Sequence, residues 1–143
     1  MRRPAVLLLA VVLAACSGDS GSGGSGEVGV RVTFDEPLRV GPVVWTVVVT
    51  NDTSDDLELT FPTGQRAHVT LSQGGEVVYQ WSRAQLFTQM IDHVRIPAGG
   101  KRQFTLDEPG LDVDPGRYTM TAVVSASNRP DLRHTRTVTV EPG

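Results

Sequence analysis

The chain has 143 residues, of which 39% are hydrophobic and 20% charged, with a formal net charge of −3. That is room for one ordinary domain with a core that needs no disulfides, and the lack of any basic stripe excludes a nucleic-acid-binding class. One cysteine and three scattered histidines, with no His-Glu-x-x-His run, support neither a disulfide framework nor a metal site, and no cofactor is expected.

Arg2 and Arg3 open the chain as a short basic segment, and residues 5–13 follow as an apolar run rich in Leu and Val. A run of about ten residues suits an export signal, whereas a membrane-spanning helix needs roughly 20. Ala14 and Ala15 then lead into Cys16. The stretch Leu13-Ala14-Ala15-Cys16 resembles the lipobox of bacterial lipoprotein precursors. The resemblance implies that residues 1–15 are a signal peptide and that the Cys16 sulfur carries a diacylglyceryl group. It also implies an exported domain, outside the cytoplasm and lipid-anchored to a bacterial cell membrane. Two or three acyl chains exceed what stable anchoring requires, since a single chain holds only reversibly. An ordinary secretory signal would leave a lone exported thiol open to wrong pairing.

Residues 16–26 are the lipidated cysteine and its tether. From Ser17 to Gly26 the chain is Ser and Gly apart from Asp19, a composition that buries nothing and spans roughly 16–19 Å as a flexible coil.

Residues 27–143 carry the period of strands. Val28, Val30, Val32 and Phe34 alternate with small or polar residues, as in a strand with one buried face. Residues 43–50 (VVWTVVVT) form a denser β-branched run, expected to be covered on both faces. The run stops at residues 51–56 (NDTSDD), turn formers whose side chains compete for backbone hydrogen bonds. Leu57, Leu59 and Phe61 alternate next, broken by Pro62-Thr63-Gly64. Ala67, Val69 and Leu71 line another strand, and Gly74-Gly75 turns the chain into residues 76–81 (EVVYQW). Residues 91–96 and 101–106 (KRQFTL) read as strands on either side of Pro97-Ala98-Gly99-Gly100. Asp114-Pro115-Gly116 turns into residues 118–125 (YTMTAVVS), and residues 133–140 close the domain with Thr/Val alternation. Only residues 82–90 break the rhythm, as a short helix or an ordered loop. About eight or nine short strands with regular turns predict an all-β domain, an antiparallel immunoglobulin-like β-sandwich, with a closed barrel as the rival.

A series of motifs runs through this domain: Asn51 with its polar turn, Phe61-Pro62-Thr63-Gly64-Gln65-Arg66, and Gly75-Glu76-Val77-Val78-Tyr79-Gln80-Trp81-Ser82. It continues through Phe87-Thr88-Gln89, Ile96-Pro97-Ala98-Gly99 and Pro115-Gly116-Arg117-Tyr118-Thr119. Their joint order, over roughly residues 43–124, resembles the BsuPI family, named for an intracellular proteinase inhibitor of bacilli. The resemblance implies the sandwich fold and, by analogy, binding to a subtilisin-like serine proteinase. It brings no reactive-site residue. Ala67 and His68 depart from the aromatic residue and Asp that the family commonly has after the Gln-Arg pair.

No nucleophile–base arrangement or Gly-x-Ser-x-Gly elbow is visible, so the chain is read as a non-enzyme. Asp112-Val113-Asp114 offers two carboxylates where calcium takes six to eight oxygens, and it reads as a solvated turn. Asn51-Asp52-Thr53 matches a glycosylation sequon only incidentally.

Two segments are candidate partner-binding surfaces, since recognition usually lies on loops of a rigid scaffold. They are residues 61–66 and residues 81–89 (WSRAQLFTQ). Their aromatics Phe61, Trp81 and Phe87 are expected in the core. The polar residues beside them, Gln65, Arg66, Ser82, Arg83 and Gln89, are expected to touch a partner or tie the loops down. The leading expectation is a tethered protein-binding sandwich whose partner is an extracellular serine proteinase that it inhibits. The alternative is a non-inhibitory structural or assembly module bound to another protein of the cell envelope.

Overall fold

The structure, a computed structural model, describes residues 26–143. The expected signal peptide, Cys16 and all of the tether but Gly26 lie outside the described residues. Among the described residues there are ten strands. They are β1 (Val28–Thr33), β2 (Leu38–Arg39), β3 (Gly41–Asn51), β4 (Leu57–Phe61), β5 (Ala67–Gln73), β6 (Glu76–Gln80), β7 (Asp92–Ile96), β8 (Lys101–Leu111), β9 (Gly116–Val124) and β10 (Arg133–Glu141). One short 3₁₀ turn, Trp81–Ala84, interrupts them, at the place where the strand period fails.

The strands form a three-stranded sheet in the order β1-β3-β8, a five-stranded sheet in the order β2-β10-β9-β5-β6, and the pair β4-β7. Every pairing is antiparallel except β2 with β10, which is parallel. The expected all-β, immunoglobulin-like sandwich is therefore the fold observed, with β2 raising the strand count beyond the expected set.

One core holds these sheets together. It draws alternate residues from each strand, as a two-residue side-chain period requires: Trp45, Val47 and Val49 from β3, Ala67, Val69 and Leu71 from β5, and Met120, Ala122 and Val124 from β9. Tyr118 ends its buried side chain in a hydrogen bond from its hydroxyl to the Asp114 carbonyl. This is the tyrosine-corner arrangement of immunoglobulin-like sandwiches, and it fixes the 112–114 turn to the core.

Residues 43–50 depart from expectation. Only one face of β3 is buried, and Val44 on the other is 50% exposed. β1 and β8 flank β3 within its own sheet, and the β-branched residues of its outer face serve strand propensity more than burial. Strand β8 also runs five residues past the expected Leu106, to Leu111. A register shift between Gly41 and Val43 lets its far end, which contains Pro109, stay paired with β3.

Asn51 is the one fully buried polar residue of the described domain. Its Nδ2 donates to the carbonyls of Asp55 (2.8 Å), Ile96 (3.0 Å) and Pro97 (3.1 Å), and its Oδ1 accepts from the Thr53 hydroxyl at 2.7 Å. With its own backbone bonded to Gly99 and Gly100, it ties β3, the 52–56 turn and the 97–100 turn into one corner. The sequon that begins at this residue has its amide nitrogen spent inside the protein.

Candidate loop surface

Phe61 closes β4 with its ring fully buried, edge-on to Phe104 at 5.8 Å. Beyond it the chain must cross to β5, and residues 62–66 make that crossing. The Thr63 hydroxyl accepts from the Gln65 amide at 3.1 Å and tightens the turn. Arg66 then folds back on it. Its guanidinium lies 4.6 Å from the Phe61 ring centre, donates to the Thr63 carbonyl at 3.1 Å, and pairs with Asp92 at the start of β7.

The second segment begins where β6 ends. Trp81 is buried and its indole N–H donates to the Asp107 carbonyl at 3.0 Å, which locks the 3₁₀ turn onto β8. The Gln85 amide closes the turn on the Ser82 carbonyl, and Gln85 itself (φ −112°, ψ 147°) is extended. Phe87 returns to the body of the protein, its ring 5.9 Å from that of Trp81. Next, the Thr88 carbonyl accepts from the Gly64 amide at 2.8 Å.

The two candidate segments therefore form one surface, joined by Gly64–Thr88 and backed, just beyond the second segment, by Arg66–Asp92. The expected core aromatics are placed accordingly: Phe61 and Trp81 are buried, and Phe87 is half-buried against the core. Three of the five polar candidates are half-buried and turned inward. Arg66 is bonded as described, Gln65 Nε2 lies 3.4 Å from His68 Nδ1, and Ser82 Oγ accepts from Gln80 Nε2 at 2.9 Å. Arg83 and Gln89 are exposed.

Sequence reasoning missed the apolar side chains that this surface presents. Leu86 is 100% exposed, Met90 71% and Ile91 68%. The available signal was a cluster of large apolar residues in a segment with no strand period to bury them.

Nearby on β7, His93 is held through one ring nitrogen. Thr60 Oγ1 and Glu58 Oε1 both lie against the same nitrogen of His93, Nδ1, at 3.3 and 3.4 Å, on exposed side chains. A proton relay needs the two different ring nitrogens. Burial, and then the charge of Arg133, lowers the His68 pKa below its ordinary value, which favours the neutral imidazole at neutral pH. The Tyr79 hydroxyl donates to Glu108 at 2.8 Å and accepts from the Trp45 indole at 3.3 Å, and burial pushes its pKa far up. Among the described residues no three His, Cys, Asp or Glu side chains gather as metal ligands would.

Comparison with known proteins adds a family and a set of folds. The profile of the family BsuPI, intracellular proteinase inhibitor, matches residues 30–129. No curated protein matches the sequence. Among solved structures, Spo0M, a sporulation control protein from Bacillus subtilis, is 13% identical with a TM-score of 0.50, covering 81% of this chain and 50% of its own. The CARDB domain of the PF1109 protein from Pyrococcus furiosus is 16% identical with a TM-score of 0.42, covering 80% of this chain and 92% of its own. A β-glucosidase from Listeria innocua is 13% identical with a TM-score of 0.44, covering 80% of this chain and 16% of its own. At its identity the likeness to Spo0M is one of fold alone.

Proposed function

The chain belongs to the BsuPI family of intracellular proteinase inhibitors, and from that premise we propose that the domain binds a proteinase through the surface built by residues 62–66 and 85–91 and blocks its cleft. One observation carries this reading: the segment 85–91, exposed at Leu86 and from Thr88 onward, is fastened to the sandwich at Phe87 and Thr88. An inhibitor gains affinity when its contact loop is already ordered, because the entropy of ordering is not spent on binding. Protease–inhibitor pairs also bury only about 800 Å² per partner, an area two adjoining loops can supply.

The test is titration of the full chain against serine proteinases of the subtilisin and trypsin types, following substrate hydrolysis. A stoichiometric fall in hydrolysis is expected for at least one enzyme. Full hydrolysis across the panel, with the chain folded by circular dichroism, would remove the reading.

The site of action follows from the N-terminal segment, and we propose that the domain works outside the cytoplasm on a lipid anchor at Cys16. Support comes from Arg2, Arg3, the apolar run and the Leu13-Ala14-Ala15-Cys16 motif. The geometry of the domain is compatible with it. Gly26, the last tether residue, donates to the Asp52 carbonyl beside Asn51, and the Asn51 side chain bonds Ile96 at one end of the β4-β7 ladder. The loop surface starts from the other end, where Phe61 pairs with Asp92, about 13 Å along the strands. A tether at the first end turns the loops away from the membrane. Labelling with a fatty-acid probe tests the anchor: Cys16→Ala should lose both label and membrane retention, and equal retention in the two chains would overturn it.

A further inference from the structure

Resting on the proteinase-binding reading above, we infer that Leu86 is the side chain that enters the primary specificity pocket of the target, and that the target is a proteinase with a deep, uncharged pocket. A single exposed leucine is ordinary on a protein surface. Leu86 is set apart by its surroundings. Its side chain is 100% exposed, it follows a residue of extended backbone, and among the described residues it enters no hydrogen bond. Its N–H and C=O are thus available to pair with the edge of an enzyme cleft, as a bound strand does.

Leu86 is also held from both sides. Upstream, the Gln85 amide is bonded to the Ser82 carbonyl at 3.2 Å on the turn that buried Trp81 anchors. Downstream, Phe87 packs on Trp81 and the Thr88 carbonyl is bonded to Gly64. One exposed residue between two fastened ones is the arrangement that delivers a side chain to a pocket without an ordering cost. Met90 and Ile91 are less exposed and lie beyond the second fastening, at the entry to β7, which places them at the rim of the contact.

The chemistry of the segment selects the pocket. Residues 82–91 (SRAQLFTQMI) contain no carboxylate, the nearest, Asp92, is engaged by Arg66, and the one cation, Arg83, lies within the 3₁₀ turn and not between the two fastenings. A pocket floored by a carboxylate wants a cation, and a shallow one admits only a small side chain. A branched four-carbon side chain fits a deep apolar pocket, where its burial is favourable.

The experiment compares inhibition constants of the full chain and its Leu86→Ala, Leu86→Arg and Met90→Arg variants. Each is titrated against a subtilisin-type enzyme with an apolar pocket and a trypsin-type enzyme with an acidic one. The unsubstituted chain should inhibit the first enzyme. Leu86→Arg should weaken that inhibition by roughly 100-fold, as loss of an interface's central anchor does, and should begin to inhibit the second. Leu86→Ala should weaken inhibition of the first without that gain, and Met90→Arg should have the smaller effect. All variants should keep the thermal midpoint, since Leu86 is fully exposed. Unchanged inhibition by Leu86→Arg, or a loss confined to Met90→Arg, overturns the assignment and leaves proteinase binding standing. Absence of inhibition by the unsubstituted chain overturns both.

Discussion

Gly64 donates its amide proton to the carbonyl of Thr88 across 2.8 Å, and the approach leaves no room for a side chain: a Cβ on Gly64 would lie 2.5 Å from Thr88 Oγ1 and 3.3 Å from its backbone nitrogen. This hydrogen bond makes one surface of two loops that are 24 residues apart in the chain. It lies beside the Arg66–Asp92 pair, so a turn leaving β4 and a loop entering β7 share two fastenings.

The glycine is therefore a positioning element for the segment that carries Leu86. Gly64→Ala should weaken proteinase inhibition about tenfold, because a methyl pushed against Thr88 displaces the loop at a cost of roughly 1–3 kcal/mol where it cannot yield. The thermal midpoint should fall by a few degrees with that cost. Adding Thr88→Ala removes the hydroxyl that the new methyl meets and should restore most of the inhibition. An inhibition constant that Gly64→Ala leaves untouched would show that the fastening plays no part in binding.

Arg66 performs its task with shape as well as charge. Its guanidinium covers the Phe61 ring while its two outer nitrogens reach the Thr63 carbonyl and Asp92. An ammonium cannot make that planar fork. Arg66→Ala and Arg66→Lys should both loosen the loop pair, each by about 1 kcal/mol, a figure kept small because Asp92 is half-exposed. Arg83→Ala, on an exposed side chain of the neighbouring turn, should leave stability unchanged. Denaturant midpoints of the three variants check the difference; full rescue by lysine would mean that charge alone holds the turn.

Much of this fold is legible in the sequence because alternation survives in long strands. Val28 to Phe34, Leu57 to Phe61 and Ala67 to Leu71 each show the two-residue period that their burial repeats. Strand β2 has two residues, too few for any period, and its partner Val140 lies a hundred residues away. The loop surface was legible as two pieces but not as one, since nothing local to Gly64 or Arg66 points to Thr88 or Asp92. Leu86 was hidden for another reason: composition alone assigns a leucine to the core, and only the fixed positions of Phe87 and Thr88 turn it outward.

Asn51 should prove the least replaceable polar residue of the domain. Asn51→Ala takes a donor from the carbonyls of Asp55, Ile96 and Pro97 in a buried corner, although the Pro97 carbonyl keeps the Gly100 amide and the Thr53 hydroxyl keeps the Asp55 carbonyl. A loss of about 3 kcal/mol is expected from the desolvation of such groups. Asn51→Asp should be worse, because a carboxylate oxygen would then face carbonyls that now receive a donor. Chemical denaturation checks this: equal midpoints for Asn51→Asp and the unsubstituted chain would remove the hub from the account.

Acid should weaken the domain in two stages. The first belongs to His68, whose folded-state pKa lies below the ordinary 6.5 because burial, and then Arg133, disfavour its cation. Above that ordinary value both states hold a neutral imidazole and the residue has no effect on stability. As pH falls through it the unfolded chain takes up a proton that the folded chain refuses, so stability declines until the lowered folded value is reached. The second stage belongs to Asp56, held below its ordinary 3.8 by the Ala98 amide and then Arg95. Its contribution is present above 3.8 and is lost as pH falls through the lower folded value. His68→Gln should flatten the thermal midpoint over the range that begins at the ordinary 6.5 and runs below it, and leave the more acidic decline in place. Asp56→Asn should do the reverse. Superimposable midpoint curves for His68→Gln and the unsubstituted chain over the first range would show that this imidazole titrates alike in both states.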